Sequence, residues 1–171
     1  IQLNQAGIDT PLAIETSGHA AFRENDFLDD GAYVIAKILM LLPQLKADNR
    51  QLSDLIADLQ QPVETQEIRF KITLADYRPH GEPVIQDLEA CVTATADFDT
   101  DTDNEEGIRV NLTGDYGQGW FLLRMSLHEP LLVLQVENDV LGKNHLVFET
   151  LATFFNQFQP LDKSALAKML K

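Results

Sequence analysis

The spacing of apolar residues changes period near Pro62, and that change restricts the chain to a mixed fold. Beyond it, Ile68, Phe70, Ile72 and Leu74 alternate with Arg69, Lys71 and Thr73, which predicts a strand with one buried and one wet face. "GIRVNLT" alternates again, "DYGQG" carries turn chemistry, and "WFLLRMS" and "LLVLQVEN" read as two further strands. In between, "EPVIQDLEACVTATA" returns to helical spacing with Val84, Leu88, Cys91 and Val92 on one stripe, and residues 142–158 predict a closing helix. The order β-α-β-β-β-α implies an α+β domain, an antiparallel sheet with helices packed on one face. On that stripe Cys91 reads as a small core residue rather than a reactive thiol.

Before Pro62 the pattern differs. "PLAIETS" reads as a short buried strand, followed by a loop to Phe27 and a helix from Asp30 to Leu42, with Asp29 and Asp30 where carboxylates favour a first turn. "QLSDLIADLQ" places Leu52, Leu55, Ile56 and Leu59 on one face of a second helix. A length of 171 residues holds one domain plus part of another. The division expected is an α/β remnant over 1–61, a linker over 62–66 and a complete domain over 67–171. The Asp30–Leu42 helix carries Tyr33, Val34, Ile35, Ile38, Leu39, Met40 and Leu41, apolar on nearly every side. Such a helix needs cover, so self-association or packing on the second domain is expected.

Charge excludes several partners. A formal net charge of −14 and a pI near 4.5 repel nucleic acid and anionic membranes alike, and an anionic ligand would need a local cluster of positive charge. The single cysteine cannot form an internal disulfide, which suits a reducing compartment, and a cytoplasmic location is expected. Lys37 and Pro43 interrupt the longest apolar run before it reaches the ~18 residues of a spanning helix. With no initiating Met and no signal peptide, the chain reads as a piece of something longer.

Four stretches could carry chemistry. In "ETSGH", Glu15, Ser17 and His19 fall on one side if the segment is extended. A carboxylate, a hydroxyl and an imidazole suit a polyol ligand, and by spacing alone they equally suit a polar strand end whose groups satisfy one another. In "RMSLHEP", Arg124 offers a fork of donors, Ser126 a hydroxyl, and a tight loop can turn backbone N–H groups toward one anion. A hairpin loop with a solvent-facing Arg has the same letters. "DFDTDTDNEEG", with Asp97, Asp99, Asp101, Asp103, Glu105 and Glu106, lacks the Gly and Glu positions of a calcium loop and is expected to be a solvated acidic loop. The "NLT" at Asn111 is a glycosylation sequon by letters only.

"ETSGH" followed by "DDGAY" and an apolar helix, then much later "GIRVNL…GWFLLRMSLHEPLLVLQVEN", resembles the C-terminal part of the α-D-phosphohexomutases, the phosphoglucomutase and phosphomannomutase family. The resemblance runs from about Leu12 to the closing helix. In that family a "GE(M/T)SGH" loop of the third of four domains binds sugar hydroxyls, and an "RxSxTEP" loop of the fourth grips the phosphate that is not transferred. The resemblance implies that Glu15 and Ser17 hold hydroxyls and that His19 is a proton carrier. It also implies that Arg124, Ser126 and the amides around Leu127 and His128 bind phosphate. Ala13-Ile14 stands before Glu15 where many members have Gly, and His128 stands where many have Thr.

The implied reaction is interconversion of hexose 1-phosphate and 6-phosphate, of glucose or mannose, through a bisphosphate. Pentose-phosphate and amino-sugar mutases of the same superfamily stay open. The family draws phosphate from a phosphoserine in its first domain, with Mg²⁺ held by a "DGDxDR" loop in its second. Neither motif occurs in these residues. No metal is therefore expected here, and the chain is expected to be inactive without the preceding domains of the parent enzyme. The rival from another class is a stand-alone, non-catalytic phosphate-binding or interaction module.

Overall fold

The structure is a computed structural model and describes residues 1–15, 18–126 and 129–171. It comprises two compact units, Ile1–Gln60 and Gln61–Lys171.

The first unit opens with a single helical turn, α1 (Gln2–Gln5), then an antiparallel ribbon of β1 (Leu12–Ile14) and β2 (Ala20–Phe22) in the register Leu12↔Phe22. The sequence predicts a buried β1, but Ala13 and Ile14 are exposed, because its single partner strand among the described residues covers only an edge. α2 (Gly31–Ala47) starts where Asp30 Oδ1 accepts from the Tyr33 amide at 3.1 Å. It runs past Pro43, where the sequence predicts its end. Proline removes one donor, yet the turn beyond it buries Leu45, and the helix closes at Asn49, whose φ of 55° is left-handed. Ile35, Leu39 and Met40 of α2 are exposed.

The predicted helix over 51–60 is also shorter than expected. Only a 3-10 turn at Leu52–Leu55 forms, opened by a Gln51–Asp54 capping box. Leu52, Leu55, Ile56 and Leu59 stay exposed, and a helix this short is marginal in water without burial of its stripe.

The second unit holds a core. Its sheet has the order β3-β7-β6-β5-β4 with every neighbouring pair antiparallel. The strands are β3 (Glu64–Lys71), β4 (Phe98–Thr100), β5 (Ile108–Leu112), β6 (Gly119–Met125) and β7 (Leu131–Asn138). β3 begins inside the segment read as a linker, because its first residues already pair with the end of β7, Glu64↔Asn138. Alternation puts Ile68, Phe70, Val110, Leu112, Phe121, Leu123, Leu132, Leu134 and Val136 on one buried face. α3 (Arg78–Ala94) adds Val84, Leu88 and Val92, and α4 (Lys143–Phe155) adds Val147, Leu151 and Phe155, whose ring lies 4.3 Å from that of Phe70. The result is the expected α+β layer of helices on an antiparallel sheet. Cys91 packs against this core, where burial pushes its thiol pKa up.

Two elements of the second unit have no counterpart in the sequence reading, and in the first unit neither do α1 and β2, the latter falling in the stretch read as a loop to Phe27. β4 crosses the stretch expected to be a solvated loop, because Phe98 packs its ring on Tyr116 at 4.6 Å and Phe121 at 5.4 Å. α5 (Ser164–Met169) follows an Asp162 side chain that accepts from the Ser164 amide at 2.9 Å, and it buries Leu166. Among the described residues no helix is long and apolar enough to cross a membrane.

Candidate functional site

In the first unit the ribbon β1–β2 ends in a tip. Glu15 N donates to His19 O at 2.9 Å and Gly18 N to Glu15 O at 2.9 Å, with Gly18 at a φ of 90° that favours glycine. The expectation of an extended segment is therefore corrected: β1 ends at Ile14 and the chain reverses, so Glu15 and His19 flank a turn rather than sharing a strand face. Ser17 lies outside the described residues.

The imidazole has a partner that the sequence reading missed. His19 Nδ1 is 2.7 Å from Asp29 Oδ2. The backbone bridge Ala21↔Asp29 brings Asp29 beside β2, while its neighbour Asp30 caps α2. The carboxylate pair thus divides its work between a helix end and an imidazole. The contact with Asp29 fixes the ring through Nδ1. A shallow cavity of about 300 Å³ lined by Gly18, His19, Asp29 and Gly31 adjoins it, and Glu15 lines a second beside Ala13, Ile14 and His19.

In the second unit β6 delivers Arg124, and the strand ends at Met125. Core alternation through Phe121 and Leu123 sends Arg124 to the face away from the core. There Nη1 lies 3.5 Å from Glu106 Oε1, with the Arg124 side chain 32% exposed. Ser126 N donates to Leu131 O at 2.9 Å, and Ser126 Oγ accepts from Glu129 N at 3.2 Å. Ile72 N donates to Pro130 O at 2.8 Å, so the residue just past β3 anchors the far side of this loop. Leu127 and His128 lie outside the described residues.

The acidic stretch does not offer a metal cradle. Asp101 Oδ2 is 2.5 Å from Arg109 Nη1, and Asp101 Oδ1 accepts from the Asp103 amide at 3.1 Å. The guanidinium, and after it that amide, hold the Asp101 carboxyl below its ordinary range. Arg109 in turn lies 4.9 Å from the Trp120 ring. Among the described residues no group of three or more His, Cys, Asp or Glu is gathered for a metal ion. The Mg²⁺ that the resemblance implies belongs to a "DGDxDR" loop, a motif that these residues do not contain.

No protein-family model matches the chain. A phosphomannomutase/phosphoglucomutase of Pseudomonas aeruginosa is 31% identical over 155 residues, which is 90% of this chain and 30% of that protein. The similarity falls in the C-terminal part of such relatives. The chain belongs to the phosphoglucomutase/phosphomannomutase family. The phosphomannomutase/phosphoglucomutase of Pseudomonas syringae pv. tomato is 34% identical over 75% of this chain and 25% of its own length. A solved phosphoglucomutase/phosphomannomutase family protein from Burkholderia thailandensis shares the fold, with a TM-score of 0.62 and 23% identity over 93% of this chain and 30% of that one. The chain thus spans about 30% of the length of the first of these mutase relatives.

Proposed function

We propose that this chain forms the sugar-hydroxyl loop and the distal-phosphate loop of a phosphohexomutase that interconverts hexose 1-phosphate and 6-phosphate through a bisphosphate. The observation that carries this reading is the Ser126 turn beside Arg124. A planar fork of donors and a hydroxyl at one strand end match what a phosphate accepts. Arg124, Ser126 and the amides around Leu127 and His128 clamp the phosphate that is not transferred. Glu15 and Ser17 hold sugar hydroxyls common to glucose and mannose, so discrimination at C2 falls to other parts of the enzyme. His19, held by Asp29, passes a proton at Nε2 to or from the reacting hydroxyl. Phosphoryl transfer needs a donor that no motif in these residues supplies, so binding and orientation are this segment's share.

The test is a titration of the 171-residue chain with glucose 6-phosphate, followed through the amide signals of Ser126, Glu129 and His19. One charge-assisted contact is worth roughly 1.5–3 kcal/mol. Arg124→Ala is therefore expected to weaken binding by about tenfold or more. Equal affinity in the two proteins overturns the phosphate assignment. The chain alone is expected to convert neither glucose 1-phosphate nor mannose 1-phosphate. Turnover lost in Glu15→Ala overturns the division of labour.

A further inference from the structure

We infer that Arg69, on the edge strand β3, is a second phosphate-binding cation that acts with Arg124. The inference rests on the proposed reading of the Arg124–Ser126 loop as the phosphate site. Sheet register supplies the geometry: Arg69 pairs with Val133 of β7, and Val133 pairs with Arg124 of β6. Residues directly paired across neighbouring strands project to the same face. Arg69 flanks the buried Ile68 and Phe70, and so it joins Arg124 on the face away from the core. Neighbouring strands lie ~4.8 Å apart, which sets the two arginine Cα atoms at roughly 10 Å with only Val133 between them. Two long side chains can close that gap on one phosphate. Val133 gives the row an apolar floor, only 7% exposed although it faces away from the core.

The hydrogen bonding around Arg69 leaves the needed edge available. Arg69 Nε lies 2.7 Å from Glu67 Oε1, which holds the guanidinium by its stem side. Nη1 is 3.9 Å from Glu129 Oε2, beyond hydrogen-bond range, and Arg124 Nη1 stands 3.5 Å from Glu106. Glu106 and Glu129 are therefore loose partners, 56% and 60% exposed, which a doubly charged phosphate can displace with shorter bonds. Arg69 also sits on the strand whose next residue, Ile72, anchors the loop by donating its amide to Pro130 O. In a chain of net charge −14, a single arginine facing Glu106 makes a weak anion trap, and a second one offsets the repulsion.

Inorganic phosphate titrated into the 171-residue chain, read from the Ser126 and Glu129 amide shifts, tests the assignment. Arg69→Ala is expected to weaken binding about fivefold or more, Arg69→Lys to recover part of the loss, and Glu106→Gln to tighten binding. The urea midpoint of Arg69→Ala should stay near that of the parent chain, which separates lost binding from lost structure. If Arg124→Ala weakens binding and Arg69→Ala does not, the second cation is wrong and the loop reading stands. If neither substitution changes the affinity, the phosphate-site reading beneath it fails as well.

Discussion

Asn138 offers the sharpest test of how the second unit is held together. It ends β7, is 1% exposed, and uses both ends of its amide. Oδ1 accepts from Gln118 N at 3.2 Å and Val140 N at 3.0 Å, and Nδ2 donates to Tyr116 O at 2.8 Å. One side chain thus joins the turn before β6 to the turn after β7. Asn138→Ala would leave two amides and a carbonyl without partners, each at a cost of roughly 1–3 kcal/mol when buried. Partial relaxation toward water lowers that total, and the expected loss is about 3 kcal/mol. Trp120, the chain's one tryptophan, lies on β6 and reports unfolding of this unit by fluorescence. With an m-value of about 1.5–2 kcal/mol/M, the urea midpoint should fall by roughly 1.5–2 M. Asn138→Asp keeps an acceptor for both amides but turns a carboxylate toward the Tyr116 carbonyl, and its midpoint should lie between those of the parent and the alanine variant. A loss below about 1 kcal/mol for Asn138→Ala would refute the claim that these three bonds hold the turns.

Asp101, whose folded-state pKa lies below its ordinary value through Arg109, contributes stability that is fully present above the ordinary carboxylate pKa and lost as pH falls through the folded value. Asp101→Asn should therefore be less stable than the parent chain at pH 7 in thermal melts, with the gap closing in strong acid. A gap that persists there would sever stability from this ionisation. Gly107 has a φ of 67°, and a Cβ there would meet the Leu123 carbonyl and come within 2.9 Å of Arg124 Cα. Gly107→Ala should cost at least about 1 kcal/mol and also weaken phosphate binding by shifting Arg124. Unchanged values in both assays would show that the backbone there yields freely.

The second unit was legible wherever burial writes itself into alternation. Ile68 and Phe70 announce β3, and Val84, Leu88 and Val92 announce the buried stripe of α3, because each repeat matches the geometry of its own element. β4 was hidden because three residues between aspartates form a strand only once β5 offers them a partner. The stripe Leu52–Leu59 misled in the other direction, since a helical pattern forms no helix when nothing buries it. At the candidate site, Arg124 and Ser126 could be singled out from their letters. The contact of His19 with Asp29 depends on a hairpin folding back. The row Arg69–Val133–Arg124 depends on register, which no local window contains.

The sheet order has a consequence for how the second unit comes to be made. β5, β6 and β7 can zip as successive hairpins, whereas among the described residues β3 pairs with no strand but β7, the last of the five in chain order. For most of its synthesis β3 therefore waits, with an open edge and an apolar side, while Glu67, Arg69 and Lys71 on its other side discourage mispairing with neighbouring chains. Closing the sheet is a late, long-range event. Substitutions confined to β3, such as Ile68→Val, should speed unfolding and leave the folding rate nearly untouched, and a slowed folding limb would place β3 in the nucleus instead.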